Sequence, residues 1–81
     1  MEDREAQILH MLKDIQPDFD FRDGVNFVAS GYLDSFDVVT LVAELEGAFG
    51  IAISALDIVP ENFASVKSIL ALVDKSSGKG H

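Results

Sequence analysis

The spacing of apolar residues along the chain predicts amphipathic helices. In residues 3–15, apolar side chains recur at i, i+3, i+4 and i+7 from Ile8 onward, which forms one apolar stripe on a helix. Acidic residues near the start of this segment, such as Glu5, complement the helix dipole, and Pro17 follows where the helix should end. The pattern therefore indicates a first helix over residues 3–15.

Two further segments have the same helical spacing. The longer one covers residues 35–49, and Gly50 follows at the position where helices commonly end in a left-handed conformation. The last one begins after Ser65, a candidate N-cap, and its apolar residues recur with helical spacing from Val66 to Val73. Together with the first segment, these predict three main helices.

The segments between the helices are irregular. Residues 16–34 contain Pro17, Gly24 and Gly31 and have no sustained period, so they predict a long loop. Large apolar residues within this loop should hold it against the core: Phe19, Phe21, Phe27 and Leu33. Residues 55–63 are ambiguous, although Pro60 suits the first turn of a short helix over residues 61–64.

The predicted architecture is one all-α domain. A chain of 81 residues has room for one core, and the apolar alternation at residues 51–53 is too short to make a sheet. We expect residues 1–75 to form a four-helix bundle with three main helices, one short helix and a long first loop. The small polar residues 76–81 are expected to form a flexible tail.

Composition excludes several classes of function. The chain has 14 acidic residues against 6 Lys and Arg, a net charge of −8 and no cysteine. Such acidity does not suit nucleic acid or anionic membranes, and the lack of cysteine excludes disulfides and thiolate chemistry. No apolar run approaches the ~20 residues of a membrane span, and the acidic start does not resemble a signal peptide. We expect a cytoplasmic, monomeric protein without nucleic-acid partners or membrane insertion.

The charge is unevenly distributed along the chain. No Lys or Arg lies between Asp23 and Val66, whereas that window, counted from Asp23, contains seven acidic residues. One interpretation is a solvated acidic surface that keeps the protein in solution. The other is a docking surface that attracts basic partners, and composition does not decide between the two.

Residues 18–24 superficially resemble the start of a calcium-binding loop. The fifth and sixth positions of such a loop require an oxygen ligand and glycine, but Arg22 and Asp23 stand there. Ala29 occupies the twelfth position, where a bidentate Glu is needed. A calcium site is therefore disfavoured.

The sequence also lacks the residue patterns that are typical of catalytic and metal-binding sites. His10 and His81 lie far apart in sequence, and the chain has no Gly-rich phosphate loop. We therefore expect no enzymatic activity. The remaining candidate is the pair Asp34 and Ser35 at the start of the central helix, for which the simplest interpretation is helix capping.

A longer pattern around Ser35 resembles the attachment site of acyl carrier proteins. In that family, Asp-Ser followed by a large apolar residue opens the second helix, as in residues 31–37, Gly-Tyr-Leu-Asp-Ser-Phe-Asp. Residues 41–46, 49–53, 60–63 and 65–73 continue the order of segments found in the family. The similarity covers roughly residues 27–75.

The resemblance implies a carrier with a prosthetic group. A phosphopantetheinyl transferase would join 4′-phosphopantetheine from coenzyme A to the Ser35 hydroxyl, and the thiol of that group would hold a cargo as a thioester. Asp34 would help to cap the helix and be recognised by the transferase. In this way a protein without cysteine would take part in thiol chemistry.

The resemblance also implies which residues contact partner enzymes. Phe36 and Val39 would lie half-exposed beside the attachment site, and the carboxylates of Asp37, Glu44 and Glu46 would meet basic patches on the partners. These partners would be the transferase, an acyl or aminoacyl ligase and downstream transferases. Individual exposed ion pairs contribute only ~0–1 kcal/mol, so such contacts would be weak and salt-sensitive.

The cargo has more than one interpretation. The central helix is less acidic than in fatty-acid carriers, since Thr40, Gly47 and Ala48 are uncharged, and residues 60–63 are similar to D-alanyl carriers. We rank first a stand-alone acyl carrier protein of lipid biosynthesis. The alternative is a D-alanyl or other aminoacyl carrier served by a dedicated adenylating ligase. A second alternative is an acidic protein-interaction module without a prosthetic group.

Overall fold

Three α-helices and two 3-10 helices account for the regular structure in the computed structural model, which describes residues 4–21 and 24–77. The bounds are α1 (Arg4–Ile15), α2 (Ser35–Phe49), η1 (Ala55–Asp57), η2 (Pro60–Phe63) and α3 (Val66–Ser76). No strand occurs in these residues, so the all-α prediction is confirmed. None of the described helices combines the length and apolar character needed to cross a membrane.

Local capping explains the limits of α2 and α3. The carboxylate of Asp34 accepts the backbone N–H of Asp37 at the start of α2, and Gly50 ends this helix with φ of 64°. At the start of α3, the Ser65 hydroxyl accepts the N–H of Ser68 at 3.1 Å. The predicted limits of α2 and the predicted N-cap of α3 are confirmed.

The segment between α2 and α3 differs in detail from the prediction. The one short helix expected over residues 61–64 is a 3-10 helix one residue earlier, and η1 is an additional turn. The Ser54 hydroxyl caps η1 by accepting the N–H of Leu56 at 3.2 Å, and Asn62 Nδ2 donates to the carbonyl of Asp57 at 2.7 Å. Side-chain hydrogen bonds stabilise these single turns, and a single turn is too short to show a period in the sequence.

Two sequence predictions extend beyond the described residues. Asp3, the expected start of the first helix, lies outside them, as do residues 78–81 of the expected tail. Ser76, which we assigned to the tail, is the last residue of α3.

The apolar stripes of the helices meet in one core. α1 packs against both α2 and α3, and η2 packs against α3. Side chains from all of these elements are completely buried; they are Ile8, Leu12, Leu41, Leu45, Phe63 and Ile69. The helical spacing in the sequence thus identifies the faces that form the core.

An aromatic cluster fixes the long first loop on this core. The rings of Phe19 and Tyr32 stack at 4.5 Å, and those of Phe21 and Phe27 meet edge to face at 4.9 Å. The N–H of Phe27 also donates to the carbonyl of Ala64 at 2.8 Å, which joins the loop to the start of α3. The loop is therefore anchored directly before α2, as its apolar residues predict.

Two glycines in or after α2 give a matched test of backbone conformation. At both Gly47 and Gly50 an added Cβ would meet no atom within 4 Å, but only Gly50 has a positive φ. We expect Gly47→Ala to raise the free energy of unfolding by up to ~1 kcal/mol, because alanine favours the helix. Gly50→Ala should lower it by about 1 kcal/mol, because a Cβ disfavours the left-handed region.

Thermal and denaturant unfolding of both variants would check these expectations. A change of 1 kcal/mol corresponds to a melting-temperature shift of roughly 4–8 °C in a domain of this size. Shifts of the same sign in the two variants would contradict the explanation by backbone conformation, which requires opposite effects at Gly47 and Gly50.

Candidate attachment site

The first residue of α2 is Ser35, and its position depends on the residue before it. Asp34 has an extended backbone and serves as the N-cap, so the chain enters the helix at Ser35. Both residues are exposed. The Ser35 side chain is therefore accessible at the N-terminal end of a 15-residue helix.

A reciprocal pair of hydrogen bonds organises this first turn. The N–H of Asp37 donates to Asp34 Oδ1 at 2.8 Å, and the N–H of Asp34 donates to Asp37 Oδ2 at 3.4 Å, which together form a capping box. Gln16 Nε2 donates to the same Asp37 oxygen at 2.8 Å. The start of α2 is thereby tied to the segment that directly follows α1.

Gln16 is a residue of this site that the sequence did not predict. It lies 21 positions before Asp37, and no local pattern connects a glutamine after one helix with an aspartate at the start of the next. Only the packing of α1 against α2 brings the two side chains together.

A mostly apolar cleft opens beside Ser35. Its volume is about 460 Å³, and its walls come from the long loop, the first turns of α2 and the segment between η1 and η2. The polar residues of the lining are Asp34 and Ser35; the others are Val28, Gly31, Leu33, Val38, Val39, Ile58, Val59 and Pro60. The serine hydroxyl thus lies at the border between solvent and an apolar cleft.

The predicted partner-contacting apolar residues lie next to the serine. Phe36 is 77% exposed and Val39 is 61% exposed, so both project further into solvent than the half-exposure we expected. Because neither is part of the core, these side chains are available for contacts outside the chain.

The three predicted acidic contacts differ in their surroundings. Asp37 belongs to the capping box, and Glu46 Oε2 accepts the N–H of Ile53 at 2.9 Å, which fixes the turn after α2. Glu44 is exposed, and at 1.5 Å per residue it lies about 13 Å from Ser35 along the helix. The structure therefore gathers Asp34, Ser35, Phe36, Asp37 and Val39 at one end of α2 and places Glu44 and Glu46 further along it.

The described residues contain no group of three or more His, Asp or Glu side chains that could hold a metal ion. The candidate calcium loop at residues 18–24 includes positions 22 and 23, which lie outside the described part of the chain.

The capping box gives a test of how α2 is held. We expect Asp34→Ala to lower the free energy of unfolding by about 1 kcal/mol, because the N–H of Asp37 loses its acceptor. Asp34→Asn keeps an oxygen acceptor and should remain within a few tenths of a kcal/mol of the wild type. Urea unfolding of both variants would check this, and equal losses in the two would show that the charge rather than the cap matters.

Comparisons with known proteins place this site in a family. The family model described as "Phosphopantetheine attachment site" matches residues 6–73 of the 81-residue chain. No significant match was found among curated proteins or among solved structures. The matched range includes most of α1, all of α2, the two 3-10 helices and most of α3, and therefore the whole site around Ser35. The chain belongs to the acyl carrier protein family of phosphopantetheine-binding carriers.

Proposed function

We propose that Ser35 carries the 4′-phosphopantetheine group, and that the protein uses it to hold acyl intermediates and present them to partner enzymes. When bound, the group supplies a thiol on which a cargo is held as a thioester. The observation that carries this proposal is an exposed serine at the first position of a capped helix, beside an apolar cleft. The protein itself would bind and present the cargo, and its partners would catalyse the reactions.

The use of hydroxyl groups at other helix starts supports the choice of Ser35. Ser54 and Ser65 are N-caps, and their hydroxyl oxygens accept backbone N–H groups. Ser68 is hydrogen-bonded to Ser65 through its own hydroxyl at 3.0 Å. At α2 the cap is Asp34, so the Ser35 hydroxyl has no capping role.

The position of Ser35 also suits the charge of the group. A phosphodiester is a monoanion, and the N-terminus of a helix favours negative charge through its dipole and its free N–H groups. In the proposed transfer, the Ser35 oxygen bonds to the pantetheine phosphorus of coenzyme A as the hydroxyl proton leaves to the transferase. The phosphorus–oxygen bond to adenosine 3′,5′-bisphosphate breaks in the same exchange. We propose that Asp34 presents the hydroxyl by fixing the turn.

Mass spectrometry tests the attachment. After incubation with a broad-specificity phosphopantetheinyl transferase and coenzyme A, we expect the wild type to gain the mass of one phosphopantetheinyl group. Ser35→Ala should gain none, because it lacks the attacking oxygen. Ser65→Asn is the matched control, since it removes a hydroxyl at another helix start and keeps a capping acceptor.

Two results would contradict the assignment of Ser35. One is an unmodified wild type under conditions that modify a known carrier. The other is a Ser35→Ala protein that is still modified. Peptide mapping of the modified wild type would then identify the residue that carries the group.

The lining of the cleft favours an acyl cargo. Eight of its ten lining residues are apolar or glycine, and each CH₂ group that leaves water contributes ~0.8 kcal/mol. An aminoacyl cargo has a charged ammonium group, for which this cleft offers only Asp34 as an acidic partner. The similarity of residues 60–63 to D-alanyl carriers keeps an aminoacyl carrier with a dedicated ligase as the second candidate.

Stability measurements on loaded proteins separate these cargoes. We expect an octanoyl-loaded protein to exceed the unloaded phosphopantetheinyl form by at least about 1 kcal/mol in free energy of unfolding, because part of the chain leaves water. A D-alanyl load should change it little. Val59→Asp, which puts a charge into the cleft lining, should remove the octanoyl effect.

Equal stabilisation by octanoyl and D-alanyl loads would contradict the preference for acyl cargo. No stabilisation of the wild-type protein by the octanoyl load would contradict it as well, and neither result would affect the assignment of Ser35.

For partner binding, we propose that Phe36 and Val39 supply apolar contacts to the transferase, to an acyl or aminoacyl ligase and to downstream transferases. Glu44 would meet a basic group directly, since it is exposed. Asp37 and Glu46 would act at longer range, because their carboxylates accept hydrogen bonds within the chain. The carboxylates of Asp37 and Glu46 keep their negative charge when they accept these hydrogen bonds.

A further inference from the structure

Most of the exposed large apolar side chains lie close to the cleft. In the described residues the exposed large apolar side chains are Leu9, Phe36, Val39, Leu56 and Ile58. Val39 and Ile58 line the same cleft as Ser35, and Phe36 follows Ser35 in the chain. Leu56 lies two residues before Ile58, within about 7 Å of it by chain length alone. We refer to Phe36, Val39, Leu56 and Ile58 as the exposed apolar patch.

Leu56 is the most exposed of these residues and belongs to a turn that is well held. It is 88% exposed, so it contributes almost nothing to the core. On its two sides, Ser54 caps the turn and Asp57 is fixed by the Nδ2 group of Asn62 and by an ion pair with Lys75 at 2.8 Å. An apolar side chain on an ordered turn loses little conformational freedom when a partner covers it.

A protein interface of typical size that is centred on Ser35 is large enough to include residues of this patch. A standard interface covers about 800 Å² on each partner, equivalent to a disc with a radius of about 16 Å. Any enzyme that transfers a group to the Ser35 hydroxyl must cover the surface immediately around it. Val39 and Ile58 line the cleft with Ser35, so an interface of this size reaches them, and Leu56 is only two residues from Ile58.

The charge around the patch indicates the chemistry of the partner. The chain has no Lys or Arg from Gly24 to Ser65, whereas Asp34, Glu44 and Glu61 are exposed there. Lys75 reaches the neighbour of Leu56, but it is paired with the carboxylate of Asp57. The complementary surface therefore has an apolar recess bordered by basic side chains.

We propose that the exposed apolar patch, with Leu56 as a principal contact, is the docking surface for the phosphopantetheinyl transferase. This inference rests on the proposed function, because it assumes that the transferase acts at Ser35. It adds a second element, η1, to the contacts that the sequence predicted on α2.

Steady-state kinetics of the transferase test the role of Leu56. We expect Leu56→Ser to raise the KM for the carrier about tenfold and to leave kcat near the wild-type value, because an apolar contact is lost while the start of α2 is intact. Leu9→Ser is the matched control, since Leu9 is an exposed leucine on α1 that does not line the cleft. It should retain the wild-type KM, and circular dichroism should show that both variants fold.

A pair of charged variants tests the expected basic border. Leu56→Lys should raise the KM more than Leu56→Glu, because the lysine is repelled by basic groups on the transferase. Added salt should reduce the difference between the two variants. Equal KM values for the lysine and glutamate variants would overturn the basic border.

The outcomes separate this inference from the proposed function. A wild type that is modified at Ser35, together with a Leu56→Ser variant at the wild-type KM, overturns the docking surface alone. Equal losses in Leu56→Ser and Leu9→Ser also overturn it, since they show a general effect of serine. A wild type that is never modified at Ser35 overturns both proposals.

Discussion

Asp34 and Asp37 exchange hydrogen bonds at the start of α2, and Gln16 joins the same network from the end of α1. This arrangement determines where the helix begins and therefore which residue follows the cap. Because an aspartate satisfies the first turn, Ser35 is not needed for capping, in contrast to Ser65 at α3. The accessibility of one hydroxyl thus follows from the identity of the residue before it.

The same end of α2 depends on an irregular segment for its surroundings. The aromatic contacts of Phe21, Phe27 and Tyr32 fold the long loop back on itself. Leu33, near the end of the loop, is buried in the core. The N–H groups of Tyr32 and Leu33 both donate to the carbonyl of Phe27. The loop therefore reaches Asp34 from a fixed direction, and its residues Val28, Gly31 and Leu33 form one wall of the cleft.

The sequence allowed the three helices and the family to be predicted, because both depend on local patterns, and it predicts Ser35 as the attachment residue. Helical spacing identifies buried faces, and Asp34-Ser35 lies within a longer motif whose family membership the comparison confirms. The bond of Gln16 to Asp37 and the exposure of Leu56 were not predictable in this way. Both depend on how separate segments pack, and a 3-10 turn with one leucine has no period that would mark its exposed side.

The walls of the cleft differ in how they are built. One wall is the start of the 15-residue helix α2. Another includes Ile58 and Val59, which connect the two single-turn helices, and Pro60, the first residue of η2. Short turns have few backbone hydrogen bonds, and local opening requires less free energy in such segments than in a long helix. We therefore expect any widening of the cleft to come from displacement of Ile58 and Val59, between the two held turns, while the three α-helices keep their packing. Under the proposed function, such a connection would admit acyl cargoes of different length while the frame of three helices is unchanged.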